Sequence, residues 1–154
     1  MTDDRSVFEK IVAGELPCHR LYEDRHCLAF LDVGPLARGH CLLIPKVRYV
    51  ELDDVPPEVA AALGAALPKL VAAVKAATGC DGLNVLQNNG AEAGQVVMHV
   101  HFHLIPRYAP PPPAPEAEAG PGGVGLDFDW PAGSLDPDDA ADLARRITAA
   151  LTEH

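Results

Sequence analysis

The sequence has few cysteines, and no two of the four are spaced as a Cys-x-x-Cys pair. Cys18, Cys27, Cys41 and Cys80 therefore do not show the spacing of a zinc ribbon. We expect reduced and mostly buried thiols, because isolated cysteines behave as small hydrophobic residues. We also expect no bound metal and no cofactor.

Long apolar runs are missing as well. No stretch approaches the roughly 20 apolar residues that a membrane helix needs. The first residues, Met1–Arg5, are acidic and lack the basic and apolar regions of a secretory signal. We therefore expect a cytoplasmic protein with no membrane partner, and 154 residues with 48% hydrophobic content suit one domain with a real core.

Basic residues are scarce, which gives a formal net charge of -10. Residues 1–107 carry 13 acidic and 10 basic side chains, whereas residues 108–154 carry 9 and 2. Most of the negative charge thus lies in the tail, and the body of the protein is nearly balanced. Because nucleic-acid binders usually carry a basic stripe, we exclude a nucleic-acid polymer as partner, while a small nucleotide remains compatible.

The sequence does contain a row of histidines. Residues 95–107 hold three of the seven histidines, His99, His101 and His103, at every second position. In a β-strand these three would share one face, and Val100 and Phe102 would lie on the opposite face. A helix would scatter them around its circumference, and the Val, Phe and Ile content favours a strand.

Such a row supports either metal binding or nucleophilic attack on phosphorus. At roughly 3.3 Å per residue the outer two histidines are about 13 Å apart at their Cα atoms, which is too far for one zinc ion. A neighbouring pair such as His99 and His101 could still bind a metal with a ligand from elsewhere. Histidines satisfied by neighbouring side chains are the third possibility.

The segment His99–Ile105 matches the pattern His-φ-His-φ-His-φ-φ, in which φ is apolar, and resembles the signature of the histidine triad family of nucleotide hydrolases and transferases. Phe30–Asp32 followed by Gly39–Lys46 is similar to the family's nucleotide-binding strand pair. The resemblance covers most of residues 6–108. It implies an α+β fold with a five-stranded, mostly antiparallel sheet, a long helix on one face, and a homodimer.

The resemblance also implies two groups of site residues. The catalytic group is His101 as nucleophile, together with His99, His103 and His40. The group that binds a small nucleotide substrate is Leu16, Phe30, Asp32, Asn88 and Gln95. Many bacterial relatives bind zinc through a Cys-x-x-Cys pair near the amino terminus, but Ser6 and Glu9 stand at the matching positions.

The implied mechanism uses the lone pair that a neutral imidazole carries near pH 7. His101 attacks the α-phosphorus, and water then cleaves the nucleotidyl-imidazole. The other ring nitrogen should donate to a backbone carbonyl of the same strand.

The phosphoramidase branch often has Ser after the Gln, whereas this chain has Val96. Together with Pro106 and Arg107, this makes the sequence more similar to the dinucleoside polyphosphate hydrolase branch. The alternatives are a phosphoramidase, a hydrolase with a metal-binding histidine cluster, and a non-catalytic nucleotide-binding protein.

The other segments complete the domain. The sequence predicts a short helix over 6–14, strands over 18–23, 27–32 and 83–89, and a third strand that His40 opens. A long helix should be capped by Asp53 or Asp54, kink at Pro68 and end near Gly79.

Three units are expected along the chain: a domain over 1–108, a Pro/Gly-rich loop over 109–126, and a C-terminal part over 127–154 that belongs to the same fold. In the last part, Phe128–Pro131 should form an aromatic anchor. A final helix should begin near Pro137, with Asp136 as its cap.

Overall fold

The computed structural model describes residues 4–109 and 133–152. Within these ranges the helices are α1 (Val7–Val12), α2 (Pro57–Thr78) and α3 (Pro137–Thr152). The strands are β1 (Arg20–Glu23), β2 (Cys27–Leu31), β3 (Cys41–Pro45), β4 (Gly82–Gln87) and β5 (Phe102–Arg107). The predicted loop over 109–126, apart from Ala109, and the anchor Phe128–Pro131 lie outside the described residues.

The five strands form one antiparallel sheet in the order β1-β2-β3-β5-β4. The β1–β2 pair is the predicted hairpin, and β3 joins it to the pair β5–β4. This confirms the predicted α+β fold with a five-stranded sheet, a long helix and a C-terminal helix. The sheet brings β3 and β5 together, and with them His40 and the histidine row.

Both faces of the central strands are buried, because their side chains alternate between two apolar clusters. On one face Ala29 and Leu43 pack with α2 and α3, and on the other Phe30 and Leu42 pack with Phe8 of α1. Every residue of β2 and β3 is consequently buried. The short helix α1 therefore covers the same face of the sheet as the candidate site.

The start of α2 differs from the prediction. Pro56 is the N-cap residue and makes no side-chain capping hydrogen bond, whereas Asp53 and Asp54 belong to a separate 3₁₀ turn. Proline suits the first turn because its missing N–H would have no partner in the helix. The helix continues through Pro68 and ends, as predicted, at Gly79, whose φ of 65° a residue without Cβ adopts easily.

The helix α2 is long and apolar enough to cross a membrane, judged by length and composition only. No membrane-length apolar segment was expected from the sequence. Its residues Leu63, Leu70 and Val74 are buried between the sheet and α3. The apolar character of α2 is thus what a central core helix requires.

The C-terminal helix α3 belongs to the same core. Ala140, Leu143 and Ile147 are fully buried in the cluster that also contains α2. Asp136 accepts hydrogen bonds from the backbone N–H groups of residues 138 and 139, which confirms the predicted cap. Burial of each large side chain contributes about 1.5–3 kcal/mol, so α3 stabilises the domain substantially.

The histidine row does not lie on one continuous strand, contrary to the prediction. Strand β5 begins at Phe102, so only His103 is within it. Continuing the pairing of β3 with β5 would place Pro45 opposite Val100, but Pro45 has no N–H to donate. The Val100 N–H instead donates to the Tyr49 carbonyl, so the chain leaves the sheet before His101.

Candidate active site

Four histidines form a buried cluster at the edge of an open cavity. His40, His99, His101 and His103 expose between 0% and 7% of their surface. The rings of His101 and His103 lie 4.8 Å apart between centroids, and those of His40 and His103 lie 5.2 Å apart. The structure therefore brings together all four histidines of the catalytic group that the family resemblance implied.

The orientation of His101 is set by the backbone. Its Nδ1 lies 2.7 Å from the carbonyl oxygen of His99, and since a carbonyl can only accept, Nδ1 carries the hydrogen. The neutral ring then has its lone pair on Nε2. This is the hydrogen bond that the sequence analysis expected for a nucleophilic histidine, although the carbonyl precedes the strand.

The ring of His99 is held at both nitrogens. Nε2 donates to the Pro45 carbonyl at 2.8 Å, which leaves the lone pair on Nδ1. Nδ1 lies 2.9 Å from the hydroxyl oxygen of Ser6, so that hydroxyl donates to the ring. His99 is thus a fixed residue beneath His101, and the edge of the Phe8 ring packs against both.

A second chain of hydrogen bonds fixes His40 and His103. The backbone N–H of Leu36 donates to Nδ1 of His40, so His40 carries its hydrogen on Nε2. That Nε2 lies 3.0 Å from Nδ1 of His103, which accepts. The hydrogen of His103 is therefore on Nε2, and His101 and His103 differ in which ring nitrogen is protonated.

Burial keeps the cluster neutral, because it disfavours the charged imidazolium. It lowers the pKa of His40 to about 4, with further contributions from the charges of Arg107 and His101. It lowers the pKa of His103 to about 3, with contributions from His101 and His40. The pKa values of His99 and His101 are also lowered, mainly by burial, although hydrogen bonds to backbone carbonyls oppose the shift.

The cavity beside the cluster has a volume of about 940 Å³, within the usual range for small-ligand sites. His101, His103, Phe30, Asp32 and Asn88 line it, as the sequence analysis anticipated for a binding site. The walls are mostly apolar, with contributions from α1, β2, β3 and the segment 93–97. An apolar wall next to a few polar groups suits a nucleoside carrying a phosphate.

Asp32 follows β2 directly and faces both the cavity and His40. Its Oδ1 accepts the N–H of Gly34, and its Oδ2 lies 3.5 Å from Nε2 of His40. Because His40 is neutral near pH 7, this contact is a polar approach and not an ion pair. Phe30, on the same face two residues earlier, is 3% exposed and packs edge-on against Phe8.

Two nominated residues lie elsewhere. The side-chain amide of Gln95 accepts from Gly90 N–H and donates to the carbonyls of Val50 and Val97, so it organises the loop before the histidines. Gln95 and Leu16 are not among the residues that line the cavity. Leu16 is 37% exposed, and the next two residues in sequence reach the cavity instead.

The positions that match the zinc-binding Cys-x-x-Cys do not fit zinc. Ser6 and Glu9 form a capping box: the Ser6 oxygen accepts the Glu9 N–H, and the Glu9 carboxylate accepts the Ser6 N–H. His99 and His101 do not form a metal pair either, because both nitrogens of His99 and Nδ1 of His101 are hydrogen-bonded.

Among the described residues a different group, Asp32, His40 and His103, has ligand atoms within 4.8 Å of one another. A metal at Nε2 of His40 would have to displace the hydrogen on that atom. Moving the hydrogen to Nδ1 would place it against the N–H of Leu36. The geometry therefore favours a hydrogen-bonded cluster of neutral imidazoles over a metal centre.

Several residues that shape the site were not found by sequence reasoning. Ser6 and Phe8 contact the histidines from α1, and Leu36 fixes His40 through its backbone N–H. The spacing Ser-x-x-Glu is a capping-box pattern and could have located the first turn of α1. No local pattern could have linked Ser6 to a histidine 93 positions away.

The structure therefore defines an α+β protein with an antiparallel sheet that presents neutral, backbone-oriented histidines to a cavity of about 940 Å³. The comparison with known proteins gives the family. Residues 13–110 match the HIT domain. The chain belongs to the HIT family.

Relatives with named activities are hydrolases. The chain is 52% identical over 101 residues to adenylylsulfatase HINT3 of Arabidopsis thaliana, a match that covers 66% of this chain and 51% of the relative. It is 40% identical over 145 residues to adenosine 5′-monophosphoramidase hnt1 of Schizosaccharomyces pombe, covering 94% and 97%. The chain thus spans about half of the Arabidopsis relative and nearly all of the yeast one.

Solved structures agree with the family. A Hit-like protein involved in cell-cycle regulation from Bartonella henselae matches with a TM-score of 0.76 at 33% identity, covering 97% of this chain and 99% of that chain. A Zn-bound histidine triad family protein from Mycobacterium smegmatis matches with a TM-score of 0.73 at 36% identity, covering 96% and 93%. The prediction of a histidine triad protein is therefore confirmed at the level of the family.

Proposed function

We propose that this HIT-family protein is a nucleotide hydrolase that attacks the α-phosphate of an adenosine 5′-phosphoryl compound through His101. The observation that carries the proposal is the hydrogen bond from Nδ1 of His101 to the His99 carbonyl. It leaves a lone pair on Nε2 of a buried, neutral ring that lines the cavity. A nucleophile needs that lone pair. Because the ring is already held in orientation, little conformational entropy is lost when it aligns with phosphorus.

The reaction would proceed in two steps. The lone pair of His101 Nε2 forms a bond to phosphorus while the bond from phosphorus to the leaving group breaks, and the leaving group takes that electron pair. The resulting nucleotidyl-imidazole carries positive charge on the ring, which the His99 carbonyl stabilises through the N–H it already accepts. Water then attacks phosphorus, the P–N bond breaks, and a nucleoside monophosphate and a proton are released.

His103 would assist the first step as a donor. Its hydrogen is on Nε2 because Nδ1 accepts from His40, so it offers an N–H to the phosphoryl group and not a competing lone pair. Asn88, which also lines the cavity, can donate to the same charged group. Asp32 and Phe30 are proposed to hold the ribose hydroxyls and the base.

The identity of the leaving group determines which substrate type the enzyme hydrolyses. Dinucleoside polyphosphates and related adenylates are favoured by Val96, which supplies no hydroxyl after Gln95 for an amine leaving group. The names of the relatives favour a phosphoramidate or an adenylyl sulfate, and both have the same adenosine 5′-phosphoryl unit. A phosphoramidase is therefore the second candidate, and rates measured side by side on the three substrate types separate them.

The decisive experiment is mass spectrometry of protein quenched during turnover of a diadenosine polyphosphate, an adenosine phosphoramidate or adenylyl sulfate. We expect an AMP adduct on the parent and none on His101→Ala or His101→Gly. His26→Ala is the matched control, because His26 is outside the cavity lining. Turnover that survives in both His101 variants, or binding of substrate by the parent without any turnover, would overturn the proposal.

We further propose that the protein is cytoplasmic and that it forms a homodimer, of which the homodimer is implied by the family resemblance. The edge strand β4 supports this, because it leaves Val85 46% exposed and a strand edge can pair with a second copy. Light scattering coupled to size exclusion should give twice the chain mass. Val85→Lys should shift the equilibrium toward monomer, and a monomeric parent would end this part of the proposal.

A further inference from the structure

We infer that Ser6 is a positioning residue for the reaction: its hydroxyl fixes His99, whose backbone carbonyl in turn orients the nucleophile His101. This inference rests on the proposed function. Ser6 is absent from the residues that line the cavity. Any effect it has on catalysis must therefore pass through another residue.

The neighbours of the Ser6 hydroxyl determine which hydrogen bond it accepts and which it donates. Its oxygen accepts the N–H of Glu9 at 3.1 Å, as the first capping bond of α1. Nε2 of His99 donates to Pro45, so Nδ1 must accept, and Ser6 lies 2.9 Å from it. The hydroxyl therefore donates to His99 while it accepts from Glu9, and one side chain links the start of α1 to the histidine segment.

The segment that Ser6 holds lies outside the sheet. Residues 97–101 precede β5 and have none of its strand pairing, so hydrogen bonds must supply the rigidity that a ladder would give. The His99 carbonyl accepts from Nδ1 of His101 at 2.7 Å. A displacement of His99 moves that carbonyl, and with it the direction of the His101 lone pair.

Neighbouring contacts strengthen the same connection. Arg48 donates from Nε to the Met98 carbonyl and from a terminal nitrogen to the Asp4 carbonyl. Its guanidinium also lies 3.9 Å from the Glu9 carboxylate. Arg48 thus ties the backbone beside His99 to the N-terminal segment. Among the described residues, it is Ser6, the N-cap of α1, that contacts a ring nitrogen of His99 from this segment.

Four variants separate positioning from helix capping. Ser6→Ala removes both the cap and the donor, Ser6→Gly removes the donor while Gly remains an acceptable N-cap, and Ser6→Thr retains both. Lys10→Gly is the matched control, because glycine destabilises the interior of α1 and leaves the Ser6 hydroxyl and the contacts of Glu9 and Arg48 in place. Ser6→Gly also covers the possibility that Ser6→Ala folds poorly.

We expect kcat to fall about tenfold or more in Ser6→Ala and Ser6→Gly with KM changed less than about threefold, because a small misplacement of the nucleophile lowers kcat steeply. Ser6→Thr should restore kcat, and Lys10→Gly should retain it. In long-range ¹H–¹⁵N spectra, the Nδ1 resonance of His99 should move toward that of an unbonded nitrogen only in Ser6→Ala and Ser6→Gly.

The spectra test the contact without turnover, so they stay informative even if the parent hydrolyses none of the substrates. An unchanged Nδ1 resonance in Ser6→Gly would overturn the assigned contact. A kcat near the parent value in Ser6→Gly, or an equal loss in Lys10→Gly, would show that Ser6 acts only by stabilising the helix. Failure of the AMP adduct in the parent would instead count against the proposed function.

Discussion

Nε2 of His40 and Nδ1 of His103 lie 3.0 Å apart, and the Leu36 N–H behind His40 decides the direction of the hydrogen bond between them. The backbone thereby determines where the hydrogen of His103 resides, two residues from the proposed nucleophile. His40 is consequently more than a buried imidazole that fills space.

Replacing His40 with Leu, which has no hydrogen-bond donor, should lower kcat more than it changes KM. Without the His40 donor, His103 is free to protonate on Nδ1, and its Nε2 then offers a lone pair where the phosphoryl group needs an N–H. We expect kcat to fall about ten- to hundredfold. Steady-state kinetics with the best of the three substrates measure this. A kcat equal to that of the parent would contradict the role assigned to His40.

Replacing Asp32 with Asn should mainly raise KM. A carboxylate accepts hydrogen bonds from ribose hydroxyls more strongly than an amide does, and hydrogen bonds to charged groups contribute about 1.5–3 kcal/mol. This corresponds to a KM about ten- to hundredfold higher, with a smaller effect on kcat. The control is Asp53→Asn, since Asp53 is exposed and outside the cavity. If a substrate lacking ribose hydroxyls shows the same increase, Asp32 does not bind them.

The fall of kcat/KM at acidic pH should reflect protonation of the proposed nucleophile, His101. Burial lowers the pKa of His101 below its ordinary value of 6.5, so Nε2 keeps its lone pair as the pH falls through 6.5. We expect kcat/KM to stay level there and to decline only at lower pH. Initial rates at low substrate concentration from about pH 8 to pH 4 provide the test. A decline centred at or above pH 6.5 would indicate a different titrating group.

The stability of the fold should fall on acidification. The folded pKa values of His40 and His103 are about 4 and about 3, below the ordinary 6.5, so the unfolded chain binds protons first as the pH falls below 6.5. At about pH 5 each of these histidines would destabilise the folded state by about 2 kcal/mol relative to pH 8.

Urea unfolding at the two pH values measures this difference in the free energy of unfolding. The variant His40→Gln should lose less stability on acidification than the parent. If His40→Gln and the parent lose equal stability, His40 is not neutral in the folded protein.

The sequence predicted the elements with strong local patterns. The helix α1, the hairpin β1–β2 and the end of α2 at Gly79 follow from periodicity and from residues with distinct backbone preferences. The cap of α3 by Asp136 was predictable for the same reason. The triad pattern also indicated His101 and His103, which line the cavity, whereas His99 lies behind them.

The parts that failed depend on distant residues. The strand start at Phe102 depends on Pro45, which cannot extend the ladder, and the Asp caps of α2 were displaced by a 3₁₀ turn. Gln95 bonds to backbone groups at positions 50, 90 and 97, and no local pattern identifies those partners. Hydrogen-bond direction within the histidine cluster likewise requires the coordinates of Leu36 and Pro45.

The small helix α1 has a consequence for handling the protein. It buries Phe8 between Phe30 and the rings of His99 and His101, so a single turn near the amino terminus forms the floor of the reaction site. An affinity tag or a trimmed terminus that unwinds this turn would expose Phe30 and Leu42, while the packing of α2 against α3 on the other face of the sheet remains. We expect such a preparation to keep much of its secondary structure and still be a poor catalyst.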